Sequence, residues 1–140
     1  MAFEFAYTTT GDGVLSAKNF PLASAYITAG VVKGDVVKFN GSQQLIKAVA
    51  ADTEVLGVLE SAVFEGVGVA VKTGQVKYSG EAVYRTPYTG GTPAVGSAYP
   101  INASQVLNAA TAGGTGAIYK VIGVDTANSI AYVVITATTF

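Results

Sequence analysis

Carboxylates are the residues of this chain best placed to do chemistry. Glu54, Glu60 and Glu65 stand close enough in sequence to meet across neighbouring strands. Two carboxylates flanking a glycosidic bond are the machinery of glycoside hydrolysis. Sugar clefts are usually lined with Trp, and the chain has none, so a hydrolase built on these glutamates ranks last among the readings. Gly11-Asp12-Gly13 and the pair Asp125 and Asn128 offer oxygen ligands. A calcium loop needs carboxylates at alternating positions closed by a bidentate Glu, and neither stretch has them. Both read as turns, because Asp and Asn bond their own backbone. Gly113-Gly114-Thr115-Gly116 with Lys120 lacks the contiguous Gly-Lys-Ser/Thr of a phosphate loop and leads into a β-like segment. Ser16 and Lys18 are two apart, not the three of a Ser-Lys nucleophile. Asp35 reads as a strand-entry residue, and Lys38 and Lys47 as solvent-facing neighbours of a turn.

Composition removes most other chemistries. The chain has no Cys and no His, which excludes disulfides, thiolate nucleophiles, zinc–thiolate sites, imidazole bases and imidazole-bound metals. Eight basic residues against nine acidic ones give no electrostatic footprint for nucleic acid or for an anionic membrane surface. The longest apolar region, Val55 to Val71, is broken by Glu60 and Glu65 and predicts no membrane span. The first residues lack a basic start and an apolar run, so synthesis in a cytoplasm is expected. No cofactor and no metal is expected. Only 12% of the 140 residues are charged, about half the roughly 25% usual for soluble domains. So thin a charge cover implies a surface clothed in Thr, Ser, Gly, Asn and Gln, or one covered by other chains.

The elements that must position these residues are strands. Short apolar runs rich in Val, Thr, Tyr and Phe are punctuated by Gly, a β pattern. Asp35 to Phe39 and Gln44 to Ala48 read as strands joined by Asn40-Gly41, a type I′ hairpin signal. Val55 to Val63 fits either a strand or a helix capped by Asp52 or Thr53, and Gly57 with the valines favours the strand. Val67 to Thr73, Gln75 to Tyr78, Glu81 to Tyr84 and Gln105 to Leu107 read as further strands. Thr86 to Gly96, with Pro87 and Pro93, reads as a loop, as does Ala109 to Gly116. Ala117 to Val124 and Ile130 to Thr136 form a final hairpin. Ile130 to Ile135 is apolar on both faces and is therefore central, or covered by a partner.

Gly34, Asn40, Ser42, Gln43 and Leu45 recur at one constant offset as Gly96, Asn102, Ser104, Gln105 and Leu107. Leu56-Gly57-Val58 is echoed by Ile122-Gly123-Val124, and Val71 and Thr73 by Val134 and Thr136. The expected fold is all-β: a small barrel or sandwich built from two similar hairpin units over residues 25–140. An extended N-terminal arm over residues 1–24 is expected in front of it. Phe3, Phe5 and Tyr7 alternate with other residues before a glycine loop, a pattern suited to strand addition onto a neighbour or to the first strand of the chain's own sheet. Phe20-Pro21 makes a central strand unlikely there. Phe3, Phe5, Tyr7 and Phe20 are the candidate contact residues, and no catalytic residue is assigned.

Gly34-Asp35-Val36-Val37, Lys47-Ala48, Leu56-Gly57-Val58 and Val69 to Val76 together resemble the small β-barrel decoration, or cement, proteins of tailed-phage heads. Gly96-Ser97-Ala98-Tyr99 and Ile122-Gly123-Val124 are similar to the second half of that family. The resemblance covers about residues 25–136 and leaves residues 1–24 outside. It implies a non-enzymatic virion protein on the capsid exterior, often a homotrimer, whose partners are the major capsid protein and itself. Other virion components, such as a tail or fibre module, and a carbohydrate-binding β-sandwich are the alternatives.

Overall fold

Alternating apolar residues between glycine- and asparagine-bearing turns build two sheets. The computed structural model describes residues 3–8, 17–64, 72–77 and 82–139. Within these, the strands are β1 (Glu4–Thr8), β2 (Ala17–Pro21), β3 (Val36–Phe39), β4 (Leu45–Lys47), β5 (Gly57–Phe64) and β6 (Lys72–Lys77). They continue as β7 (Ala82–Thr89), β8 (Ala98–Tyr99), β9 (Leu107–Asn108), β10 (Tyr119–Asp125) and β11 (Ile130–Ile135). One short helix, α1 (Ser24–Ala29), interrupts them. The first sheet runs β2-β6-β5-β3-β4; the second runs β1-β7-β11-β10-β8, with β9 pairing β7. The chain is all-β, as its composition implies, and its ladders are antiparallel apart from β7–β9.

The duplication legible in sequence from Gly34/Gly96 to Leu45/Leu107 extends to hydrogen-bond register. The echoes of Leu56-Gly57-Val58 in Ile122-Gly123-Val124 and of Thr73 in Thr136 are out of step with it, since Val58 takes the place of Lys120 and Thr73 that of Ile130. Val36 pairs Val58 and Val37 pairs Gly57 in the first sheet; Ala98 pairs Lys120 and Tyr99 pairs Tyr119 in the second. A bulge between Leu59 and Ser61 on β5 has its counterpart between Val121 and Gly123 on β10. Phe20 faces Gly74 and Pro21 faces Thr73, as Thr86 faces Ala131 and Pro87 faces Ile130. A parallel bridge joins Leu22 to Leu45, and another joins Tyr88 to Leu107. Gly34 and Gly96 adopt φ of 93° and 92° and donate to Leu59 and Val121 at 2.8 Å each. Only glycine holds that region without strain. Bulges bend a strand and re-aim its side chains, so a shared bulge gives both sheets the same curvature. The first unit thus spans β2 to β6 and the second β7 to β11, with β1 added to the edge of the second.

The units pack through two cores. The smaller lies inside the first unit and gathers Leu22, Tyr26, Val37, Leu45, Leu56, Leu59 and Val76. Within it a Cβ at Gly74 would come within 2.6 Å of Leu59 Cδ1, so the side chains leave no room there. The larger holds Tyr84, Tyr99, Leu107, Tyr119, Val121 and Val133 of the second unit together with Val36, Ala48, Val55 and Val58 of the first. The first sheet is therefore buried on both faces at β3 and β5. That explains its unbroken Val36-Val37 and its run Val55 to Leu59, where half-solvated strands would alternate. Gly116, with φ 82°, lies so close to the Ala50 carbonyl that a Cβ has no place there. It seats the β9–β10 connection of the second unit on the first.

Several expectations change. The stretch expected as an N-terminal arm supplies β1 and β2, and of the two readings open for Phe3 to Tyr7 the strand of the chain's own sheet is the one found. β1 pairs β7 from Glu4↔Arg85 to Thr8↔Ala82, and β2 pairs β6 along its whole length. Pro21 ends an edge strand, where its missing N–H costs no ladder bond. Asn40-Gly41 is not a two-residue I′ turn. The loop runs from Asn40 to Gln44, and its positive φ, 61°, belongs to Gln43. Thr86 to Thr89, expected in a loop, completes β7. Pro87 is tolerated because Tyr88 donates to Ser129 on one side while β1 has already ended opposite Arg85 on the other. Gln105, expected in a strand, sits in a turn at φ 60°. Val55 to Val63 resolves as strand rather than helix from Gly57 onward. Ile130 to Ile135 is central, between β7 and β10, as its two apolar faces require. Val67 to Val71, Tyr78 and Glu81 lie outside the described residues.

Candidate interaction surface

The four aromatic residues expected to make contacts have different fates. Phe3 is fully buried in the larger core, its ring 6.3 Å from Tyr84 and 5.5 Å from Tyr119. Its amide donates to Gly34 of the first unit. Phe3 is thus a core residue that ties the N-terminus across both units, and its assignment as an outward contact is corrected. A buried aromatic ring withdraws about 150–250 Å² from water, far more than an edge contact with a neighbour returns. Phe5 is half-buried, edge-on to Tyr84 at 6.5 Å. The Tyr7 backbone pairs Val83, and its side chain lies outside the description. Phe20 is half-buried against Phe39, ring centroids 5.0 Å apart and nearly perpendicular.

Phe5 lines a shallow groove of about 460 Å³ with Glu4, Ala6, Arg85, Gly123 and Tyr132. It is floored where the β10 bulge leaves Gly123 without a side chain. The Arg85 Nε stands 3.5 Å from Glu4 Oε2, both about half exposed, so the guanidinium is only loosely held. Sequence reasoning missed Arg85 and Tyr132, because their neighbourhood depends on β1 joining the sheet.

Several of the groups singled out for chemistry have structural partners. Asp125 accepts from the Ala127 and Asn128 amides and from Asn128 Nδ2 at 2.8 Å. The Asn128 side-chain bond is the main reason its carboxyl is held below the usual range. Glu54 accepts from the Thr139 hydroxyl at 3.1 Å, while Glu60 sits at the β5 bulge. Glu65, Ser16 and Gly11-Asp12-Gly13 lie outside the described residues. Asp35 is buried, taking the Tyr26 hydroxyl at 2.6 Å and the Val32 amide at 3.1 Å, with Lys47 at 3.7 Å. Burial first, and this carboxylate second, push the Tyr26 phenol well above its ordinary range. Lys38, expected to face solvent, instead pairs Asp52 at 2.5 Å. Among the described residues no three acidic, His or Cys side chains converge as a metal site.

The least anticipated residue is Gln105. Its turn is a copy of the one at Gln43. Asn40 Oδ1 accepts from the Ser42 and Gln44 amides, and Asn102 Oδ1 from the Ser104 and Val106 amides. Gln43 is exposed, whereas Gln105 is 2% exposed. The Gln105 side chain reaches across the molecule, accepting from the Val36 amide at 2.9 Å. Its Nε2 donates to the Val36 carbonyl at 2.9 Å and the Ala48 carbonyl at 2.7 Å. The recurring Ser-Gln of the repeat was the visible signal; its depth of insertion was not. No family model, curated protein or solved structure matches the chain.

Proposed function

We propose that this chain is a structural protein of a phage particle, one that decorates the outer surface of the capsid. In this reading it clamps neighbouring coat subunits of the mature shell, acts as a homotrimer, and carries out no catalysis and uses no cofactor. The observation that carries the reading is the thin charge cover together with apolar side chains left outside: Val32, Val49, Val95 and Ile122 are 48, 57, 65 and 37% exposed. Such a surface suits contacts with other protein chains better than a solvated one. The resemblance to decoration proteins adds to it, since its two halves fall on equivalent strands, β3 with β5 and β8 with β10. A protein that binds only the expanded lattice stabilises that lattice by mass action. The purified chain should co-sediment with expanded shells of its parent particle and not with unexpanded ones. Failure to bind expanded shells overturns the reading.

The groove beside Phe5, Tyr132 and Arg85 favours a second reading, a carbohydrate-binding sandwich. Glycan-array binding that is lost in Tyr132→Ala would select it.

A further inference from the structure

The two units are stacked in one direction rather than facing each other. The first unit presents the outer face of β3 and β5, with Val36, Ala48 and Val58, and these are buried at 0, 3 and 1% exposure against the second unit. The second unit presents the end that carries Gln105 and Ile101, both buried. If the relation were a two-fold one, the counterpart of each surface would be buried as well. It is not. Ala98 is half-buried and Lys120 exposed where the first unit has Val36 and Val58; Gln43 is exposed and Phe39 half-buried where the second has Gln105 and Ile101. The contact is heterologous, and among the described residues the counterpart of each joined surface has no unit seated on it.

The unused slot is built like the filled one. The Val36 carbonyl receives the Ala48 amide at 2.9 Å, and the Ala98 carbonyl receives the Gly113 amide at 2.9 Å. On β3, Gln105 then occupies the Val36 N–H and the Val36 and Ala48 carbonyls. On β8 no side chain takes the corresponding Ala98 N–H or the Ala98 and Gly113 carbonyls among the described residues. Gln43, held at φ 61° by the same Asn-capped turn as Gln105 at φ 60°, carries the matching amide group.

We propose that a second copy of this chain fills this slot: Gln43 of one copy inserts against β8 of the next, repeating between chains the contact that Gln105 makes within one. Phe39, the counterpart of Ile101, then packs on Ala98 and the aliphatic stem of Lys120. Heterologous contacts close into a ring or grow into a filament according to their rotation, and first and second units alternate around either. This contact stands on the repeat alone and does not depend on the capsid reading.

The test is mass measurement and cross-linking of the intact chain. At about 100 µM, a concentration at which micromolar contacts are occupied, light scattering should give a multiple of 14.2 kDa. Gln43→Asn tolerates positive φ but falls one methylene short. It should raise the concentration of half-assembly about tenfold, the worth of a well-made hydrogen bond, with an unchanged melting temperature. The chain has no Cys, so Ser42→Cys with Ala112→Cys can be bridged by a bismaleimide without background. This pair should give intermolecular products, and Ser42→Cys with Asn128→Cys should not. A monomer at every concentration, assembly indifferent to Gln43→Asn, or equal cross-linking of the two pairs overturns the proposal.

Discussion

Replacing Gln105 by Ala tests how the two units are held together. The substitution withdraws three hydrogen bonds at once. The Val36 carbonyl keeps the Ala48 amide, but the Val36 N–H and the Ala48 carbonyl lose the partner found for them among the described residues. Each buried group left unsatisfied costs about 1–3 kcal/mol, so the two together cost about 2–6. Loss of packing around a 2%-exposed side chain adds to this. The expected loss is at least about 3 kcal/mol, a large share of the roughly 5–15 kcal/mol by which domains are stable. Gln43→Ala supplies the internal control, because it makes the same change at the same backbone angle on an exposed residue. In dilute solution it should cost less than about 0.5 kcal/mol. Urea unfolding followed by tyrosine fluorescence reads both. Gln105→Glu sharpens the result, since a carboxylate keeps the shape but cannot donate to two carbonyls. Burial raises its folded pKa above the ordinary value near 4.3. Its stability is then fullest below that value and falls as pH rises through the folded pKa. A loss below about 1 kcal/mol in Gln105→Ala, or one equal to that of Gln43→Ala, would refute the clasp.

Three further outcomes follow from burial. Tyr119 Oη is buried without a partner among the described residues, so Tyr119→Phe should leave stability in urea unfolding unchanged or raise it by about 1 kcal/mol of relieved desolvation. Phe3→Ala should cost about 3–5 kcal/mol in urea unfolding; a loss under about 1 kcal/mol would restore Phe3 as a contact residue for a neighbouring chain. Burial is the first cause that lifts the phenols of Tyr26, Tyr84 and Tyr119 above their ordinary range. The stability these groups contribute is complete below pH 10 and falls above it, by up to about 1.4 kcal/mol per pH unit for each. Alkaline titration at 295 nm should show a late tyrosine fraction that ionises only as the circular dichroism signal is lost.

What was legible in the sequence was periodic and local. The strand at Val55 to Val63, the central place of Ile130 to Ile135 and the repeat of Asn-x-Ser-Gln all rest on side-chain alternation and turn chemistry that neighbouring residues decide. What was not legible depended on which surfaces meet. Phe3 and Phe20 carry the same side chain, yet one is core and the other lies half-buried on an edge strand. The difference is that β1 joins the second sheet beneath Tyr84 while β2 forms the outer edge of the first. Gln43 and Gln105 both follow Ser in an Asn-capped turn at nearly the same φ, 61° and 60°, and their burial differs with the stacking of the units. Lys38 was misplaced because its partner, Asp52, comes from a loop whose path no periodicity encodes. Helix α1 has no side-chain cap and no charge in its first turn. Tyr26, packed into the smaller core and bonded to Asp35, holds it in place from outside its own sequence.

The divergence between the units shows what the duplication has been adapted to do. Two identical units stacked head to tail would bury the same residues at each junction, and a single chain would then be one link of a uniform polymer. Here the junction inside the chain has Val36 and Val58 on one side and fully buried Ile101 on the other. At the other ends the corresponding positions hold Ala98 and Lys120, and Phe39. A junction with Val at its centre excludes water and is permanent, whereas one with Lys120 at its centre keeps a charge that must find water at the rim. Open ends built this way pair more weakly than the internal junction. In the proposed contact they rely on a polar clasp through Gln43 for register rather than on apolar area. That combination suits a part made singly and assembled later. If Lys120→Val, which copies Val58 at the open end, drives the chain into large aggregates while Gln43→Asn reverses them, the two ends meet as the two units do.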